Sequence, residues 1–74
     1  MRIEMRLFAT LREKHQKVFP MEITEGTEVA TLIETLNISP NEIAILLVNG
    51  RNAKPDHILQ EGDTVSLFPP IGGG

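Results

Sequence analysis

Thr27-Glu28-Val29-Ala30-Thr31-Leu32-Ile33-Glu34-Thr35-Leu36-Asn37 is the stretch of this chain that carries a sustained helical stripe. Val29, Leu32, Ile33 and Leu36 recur at the spacing that gathers side chains on one helix face. Thr27 offers the hydroxyl expected of an N-cap, and Glu28 suits the positive end of the helix dipole. Asn37 tolerates the left-handed backbone that closes a helix, and Glu25-Gly26 turns the chain ahead of it.

On both sides of this segment the apolar period changes to alternation. In residues 2–9, Ile3, Met5 and Leu7 share one face, while Arg2, Glu4 and Arg6 share the other. This is the pattern of a strand buried on one side. By the same parity Phe8 falls on the polar face. Residues 10–17 are polar apart from Leu11 and read as a short helical turn or loop. Residues 18–23 form a second strand with Phe19, Met21 and Ile23 on one face, and Pro20 predicts a sheet edge or a bulge.

After the helix, Ser39-Pro40-Asn41-Glu42 has the form of a capping box with proline at the first helical position, which predicts one helical turn. Residues 44–48 are almost continuously apolar and are expected as a central strand. Asn49-Gly50 is the strongest hairpin signal. Residues 51–54 form a short return strand that Pro55 halts, Glu61-Gly62-Asp63 turns, and Thr64–Phe68 is the last strand, with Val65 and Leu67 facing the core. One amphipathic helix among these strands has one economical use, a mixed sheet covered on one face by that helix. The expected class is α+β with the ubiquitin-like β-grasp arrangement, a domain over residues 1–68 and an extended tail over residues 69–74. Periodicity alone leaves the strand order open.

The tail reads Pro69-Pro70-Ile71-Gly72-Gly73-Gly74. Proline fixes φ near about −65° and lacks an N–H, so the sheet cannot continue past Phe68. Pro69 and Pro70 are expected to project the tail as a stiff spacer reaching at most roughly 20 Å. Glycines without Cβ can lie in a channel too narrow for other residues, so residues 69–73 are read as the part that threads into a partner. The chemically active group of such a tail is the α-carboxylate of Gly74. The plain alternatives are a frayed terminus or a linker scar, but no serine or histidine tract accompanies the glycines.

Composition narrows the function. With 74 residues the chain makes one small domain, without room for a deep pocket ringed by catalytic groups, so it is not expected to be catalytic alone. A net charge of −3 argues against nucleic acid and for steering toward basic surfaces of protein partners. The chain has no cysteine, hence no disulfide framework or cysteine metal site, and no metal is expected. The longest apolar run, residues 43–48, is too short to span a membrane, and a cytoplasmic location is expected. His15 and His57 lack ligand-spaced companions and read as surface histidines. Glu22, Glu25 and Glu28 read as a solvated face. If the first and last strands are neighbours, Phe8 and Phe68 join in one apolar docking patch at the root of the tail.

The chain resembles the MoaD/ThiS family of small sulfur carriers, and within it the molybdopterin synthase small-subunit branch. The matching residues are Arg6-Leu7-Phe8-Ala9 with Leu11-Arg12-Glu13, Val48-Asn49-Gly50, Glu61-Gly62-Asp63, and Leu67-Phe68-Pro69-Pro70 with Gly73-Gly74. The resemblance implies that an adenylating enzyme related to ubiquitin activators (MoeB/ThiF-like) uses ATP to form an acyl-adenylate at Gly74. No cofactor is held by the chain itself. A sulfur donor protein then makes a thiocarboxylate, and the large synthase subunit (MoaE-like) receives that sulfur to build a molybdopterin dithiolene. It also implies that Phe8 and Phe68 dock these partners. A third patch position, apolar in the family, falls at the polar Asn52, and Gly72 stands where a side chain is usual. Three alternatives stay open: a ubiquitin-like protein modifier, a carrier for thiamine synthesis or tRNA thiolation, and a non-covalent β-grasp interaction module.

Overall fold

The computed structural model describes residues 1–13 and 15–70. Five strands, β1 (Arg2–Leu7), β2 (Val18–Glu22), β3 (Ile45–Val48), β4 (Arg51–Asn52) and β5 (Thr64–Phe68), form one sheet in the order β2-β1-β5-β3-β4. The β1–β5 pair is parallel and the other pairs are antiparallel. The helix α1 (Val29–Thr35) covers one face. This is the mixed-sheet β-grasp that the residue pattern predicts. Ile3, Met5, Leu7, Val65 and Leu67 are buried beneath Val29, Leu32, Ile33 and Leu36, so the parity of both strands and the helical stripe meet in one core.

The helix ends show which signals were local. At the C-terminus Asn37 has φ 60°, its N–H donates to Glu34 O, and Ile38 N–H donates to Ile33 O. This is a Schellman closure, and buried Ile38 supplies its apolar contact. The N-terminus departs from expectation. Thr27 does not cap the helix, because its hydroxyl donates to Thr24 O at 2.6 Å, and Glu28 takes the N-cap position without a side-chain bond. The first helical N–H groups are satisfied from a distant loop instead, Val29 by His57 O at 2.9 Å and Ala30 by Pro55 O at 2.8 Å. Glu28 is held extended by a bridge to Ile58. The capping box at Ser39 does form, over the 3₁₀ turn Pro40–Glu42.

Two further expectations are corrected. The apolar run at residues 44–48 gives β3, an interior strand, but the middle of the sheet is β5. The run is not doubly buried, since Ile45 is 46% exposed. His15 is not a plain surface residue. Its Nε2 lies 2.8 Å from Leu36 O, tying the loop before β2 to the end of α1.

Pro20 lies in the edge strand β2, as predicted. The bonds Ile23 N–H to Met1 O and Leu7 N–H to Lys17 O set which residues face β1. With the register Glu4↔Pro20, that pattern turns the Pro20 nitrogen outward, so the missing donor costs no ladder bond.

Asn49 and Gly50 have φ 53° and 81°, both positive as a type I′ turn requires. Asn49 is more than a turn residue. Its Nδ2 donates to Asp63 Oδ1 at 2.8 Å, and its Oδ1 accepts from Thr64 N–H at 2.9 Å. Asp63, buried, also accepts from Gln60 N–H at 2.8 Å. The β3–β4 turn is thereby fastened to the start of β5. If Asn49 were a turn residue alone, Asn49→Gly would relieve its positive φ at little cost. The network predicts instead a loss of about 1–2 kcal/mol, read as a lower urea midpoint at unchanged slope.

Candidate functional site: the root of the tail

Strand β5 leaves the sheet at Phe68, and its main chain is held up to that point. Phe8 N–H donates to Leu67 O at 3.2 Å from one side, and Ala44 N–H donates to Phe68 O at 2.7 Å from the other. Pro69 and Pro70 then end the pairing, having no N–H to give. The chain therefore departs from a defined place and direction.

The parallel register Leu7↔Leu67 sets Phe8 beside Phe68 on the sheet face opposite α1. Their rings stack with centroids 4.1 Å apart and planes 11° from parallel. Each covers part of the other, so both are half-buried rather than fully exposed. Phe8 is followed by Ala9 at φ 51°, which reverses the chain into the 3₁₀ turn Ala9–Glu13. Leu11 from that turn is buried, and Arg12 returns over the Phe8 ring at 5.7 Å from its centroid. Arg12 Nε also donates to Leu7 O at 3.1 Å, which orients the guanidinium. An arginine over an aromatic face adds a cation–π attraction of about 0.5–1 kcal/mol at an exposed site.

Parity extends the patch beyond the residues expected of it. Ile45 lies opposite Phe68 and Leu47 opposite Ser66, both on the open face. Phe8, Phe68 and Ile45 thus make one row across three strands, with Leu47 in the next. Asn52 pairs with Leu47 and places an amide at the margin of this patch. Ile45 and Leu47 were legible in principle, because the alternation applied to Phe8 also puts the odd residues of β3 outside. Reading the run only as a central strand left its two faces unassigned. Pro69 and Pro70 line a shallow hollow with Thr10, Leu11, Glu13 and Glu42. The tail root therefore has an arginine on the aromatic side and carboxylates on the other.

Among the described residues no cluster of histidine, aspartate and glutamate could hold a metal ion, and no helix is long and apolar enough to cross a membrane. Of the residues expected to act, Pro69 and Pro70 are at the root, whereas Ile71, Gly72, Gly73 and Gly74 lie outside the described residues.

Comparisons with known proteins agree with this architecture. The model of the ThiS family matches residues 5–74. The chain is 29% identical to small archaeal modifier protein 3 of Haloferax volcanii over 92 aligned positions, covering 100% of each protein. A Pyrococcus furiosus protein described provisionally as molybdopterin converting factor subunit 1 superposes with a TM-score of 0.77 at 28% identity, over 95% of this chain and 98% of that one. The complex of subunits 1 and 2 of the Helicobacter pylori molybdopterin-converting factor contains the same fold, with a TM-score of 0.65 at 21% identity and 100% of both chains covered.

The stacked rings make a direct test. In a double-mutant cycle of Phe8→Ala and Phe68→Ala, thermal or urea unfolding should show a coupling of about 0.5–1.5 kcal/mol. Strict additivity would mean that the two rings do not stabilise each other.

Proposed function

The chain belongs to the ThiS family of ubiquitin-like small modifiers and sulfur carriers, and on that premise we propose that it carries sulfur on Gly74 for molybdopterin synthesis. A free carboxylate resists nucleophiles. An adenylating enzyme related to the ubiquitin activators overcomes this by joining the Gly74 carboxylate to the α-phosphate of ATP, with release of pyrophosphate. The acyl-adenylate is a mixed anhydride with AMP as a good leaving group, and sulfur delivered by a donor protein at the sulfide level attacks the carbonyl, forming the C–S bond and releasing AMP to leave a thiocarboxylate. The large synthase subunit then takes that sulfur for the dithiolene. The carrier contributes reach, a thin tip and two docking contacts, and ATP is bound by the activating enzyme.

The observation that carries this reading is the pinned exit of β5 beside an apolar patch. The end of β5 is held by main-chain bonds from both sides, at Leu67 O by Phe8 and at Phe68 O by Ala44, and Phe8, Phe68, Ile45 and Leu47 offer a surface at the same spot. A partner that grips the patch receives the tail in a fixed direction, which reduces the entropy lost when residues 69–74 thread into a channel. The Helicobacter pylori protein is known as a two-subunit complex, which supports a large-subunit partner for this chain. The location that suits an ATP-dependent activation is the cytoplasm.

A second reading is favoured by the Haloferax relative, which is named a modifier. Activation would be the same, but a lysine amine on another protein would attack Gly74 and form an isopeptide bond.

Intact mass of the protein from its own cells, with fragmentation of its C-terminal peptide, separates the two. The expected result is exchange of one oxygen for sulfur at Gly74, and deletion of Gly73 and Gly74 should abolish molybdopterin formation. Branched peptides joining Gly74 to lysines, with cofactor synthesis intact in the deletion, would establish the modifier instead. The patch has its own readout. Ile45→Glu should leave unfolding within about 0.5 kcal/mol of the parent yet weaken capture by the activating enzyme by about tenfold or more.

A further inference from the structure

A hollow of about 400 Å³ opens on the helix side of the sheet, between α1 and the β3–β4 edge. Ile33 and Ile38 form its α1 wall, and Ile43 and Leu46 form the wall on the β3 side. Ala30 and Ala53 stand where larger side chains would fill it. The acidic side chain in the lining is Glu34, exposed on α1, while Arg51, in β4, and Lys54, just beyond it, lie outside the lining.

The hollow lies beside an open sheet edge. Ala53 N–H donates to Leu46 O at 3.1 Å, and Leu47 lies opposite Asn52. In that alternation Leu47 and Asn52 are a non-bonded pair, so Asn52 directs its N–H and C=O outward. The opposite edge differs, because Pro20 presents no donor at the corresponding outward position of β2. Val18 and Glu22 of β2 still turn their main-chain groups outward, but the donor row is broken between them, and of the two edges it is β4 that borders the apolar hollow. Because β4 has two residues, the added pairing is short and the hollow must supply most of the hold.

We infer that this edge and hollow bind a short extended segment of another protein, one that carries an aliphatic side chain and, two residues on and so on the same face, an arginine or lysine. The segment pairs with Asn52 through the main chain, as in other strand additions. Its aliphatic side chain enters between Ile33 and Leu46, and its cation meets Glu34. An acidic residue at that position is repelled by the same carboxylate.

Amide chemical shifts of the isotopically labelled full chain, titrated with the synthetic peptide acetyl-Gly-Ile-Val-Arg-Gly-amide, test this. Shifts are expected at Ala30, Glu34, Leu46, Asn52 and Ala53, with affinity at least about fivefold above that of the same peptide carrying Glu for Arg. Glu34→Lys, at an exposed helix position, should reverse the preference, and Ala30→Arg should block both peptides. The proposal fails if shifts gather at Phe8, Phe68 and Ile45, if neither peptide moves any amide, or if Glu34→Lys leaves the preference unchanged. Shifts at Asn52 and Ala53 that grow with protein concentration in the absence of peptide would also overturn it, assigning the edge to a second copy of this chain.

Discussion

The parallel pairing of β1 with β5 is the constraint on which the rest of this small protein depends. It joins the first strand of the chain to the last, and its register places Leu7 beside Leu67 and Met5 beside Val65 under the helix. The residues between must supply a crossover helix and the remaining strands, because parallel neighbours cannot be joined by a tight turn. The same register puts Phe8 against Phe68 on the other face. Core and candidate docking surface are two faces of one strand pair, so the tail root is as rigid as the core behind it.

A domain of this size has little buried surface to spend, and the structure shows where polar contacts reinforce it. Asp63 lies at the entry to β5, where its carboxylate gathers Asn49 and Gln60 while its main-chain O accepts from Glu4 N–H. The helix N-terminus is satisfied by the loop carrying Pro55 and His57 rather than by its own cap. His15 and Leu36 O link the far end of α1 to the chain entering β2. Apart from the Gln60 bond, three residues away, each of these ties together segments distant in the chain. Their effect is to hold a seven-residue helix, too short to persist alone, against the sheet.

In the proposed carrier role chemistry is deferred to the tail, and the body acts as a handle. Arg12, oriented by Leu7 O over the Phe8 ring, adds a cation to the aromatic side of the exit, while Glu13 and Glu42 line the hollow beside the prolines. That arrangement presents opposite charges on the two sides of the departing chain. It gives an arriving partner one electrostatically favoured orientation, even though the net charge of −3 is small.

Much of this was legible in the chain itself. The stripe Val29, Leu32, Ile33, Leu36, the parity of β1 and β5, the Asn49-Gly50 turn, the Ser39 capping box and the proline stop after Phe68 are local or periodic signals. A period or a turn dihedral is a property of neighbouring residues, so they survive without tertiary context. Parity alone was enough to set Phe8 and Phe68 on the face away from the helix. Their stacking, the inclusion of Ile45 and Leu47 in the patch, and the place of β5 in the middle of the sheet required the strand order, which no local period encodes. Thr27 was misread for the same reason, since a cap can be replaced by carbonyls from a distant loop, as His57 and Pro55 do for Val29 and Ala30. The sequence by itself determined the elements and their buried faces, through spacing and backbone preference. Tertiary structure alone decided which exposed side chains meet, because that depends on pairing between segments distant in the chain.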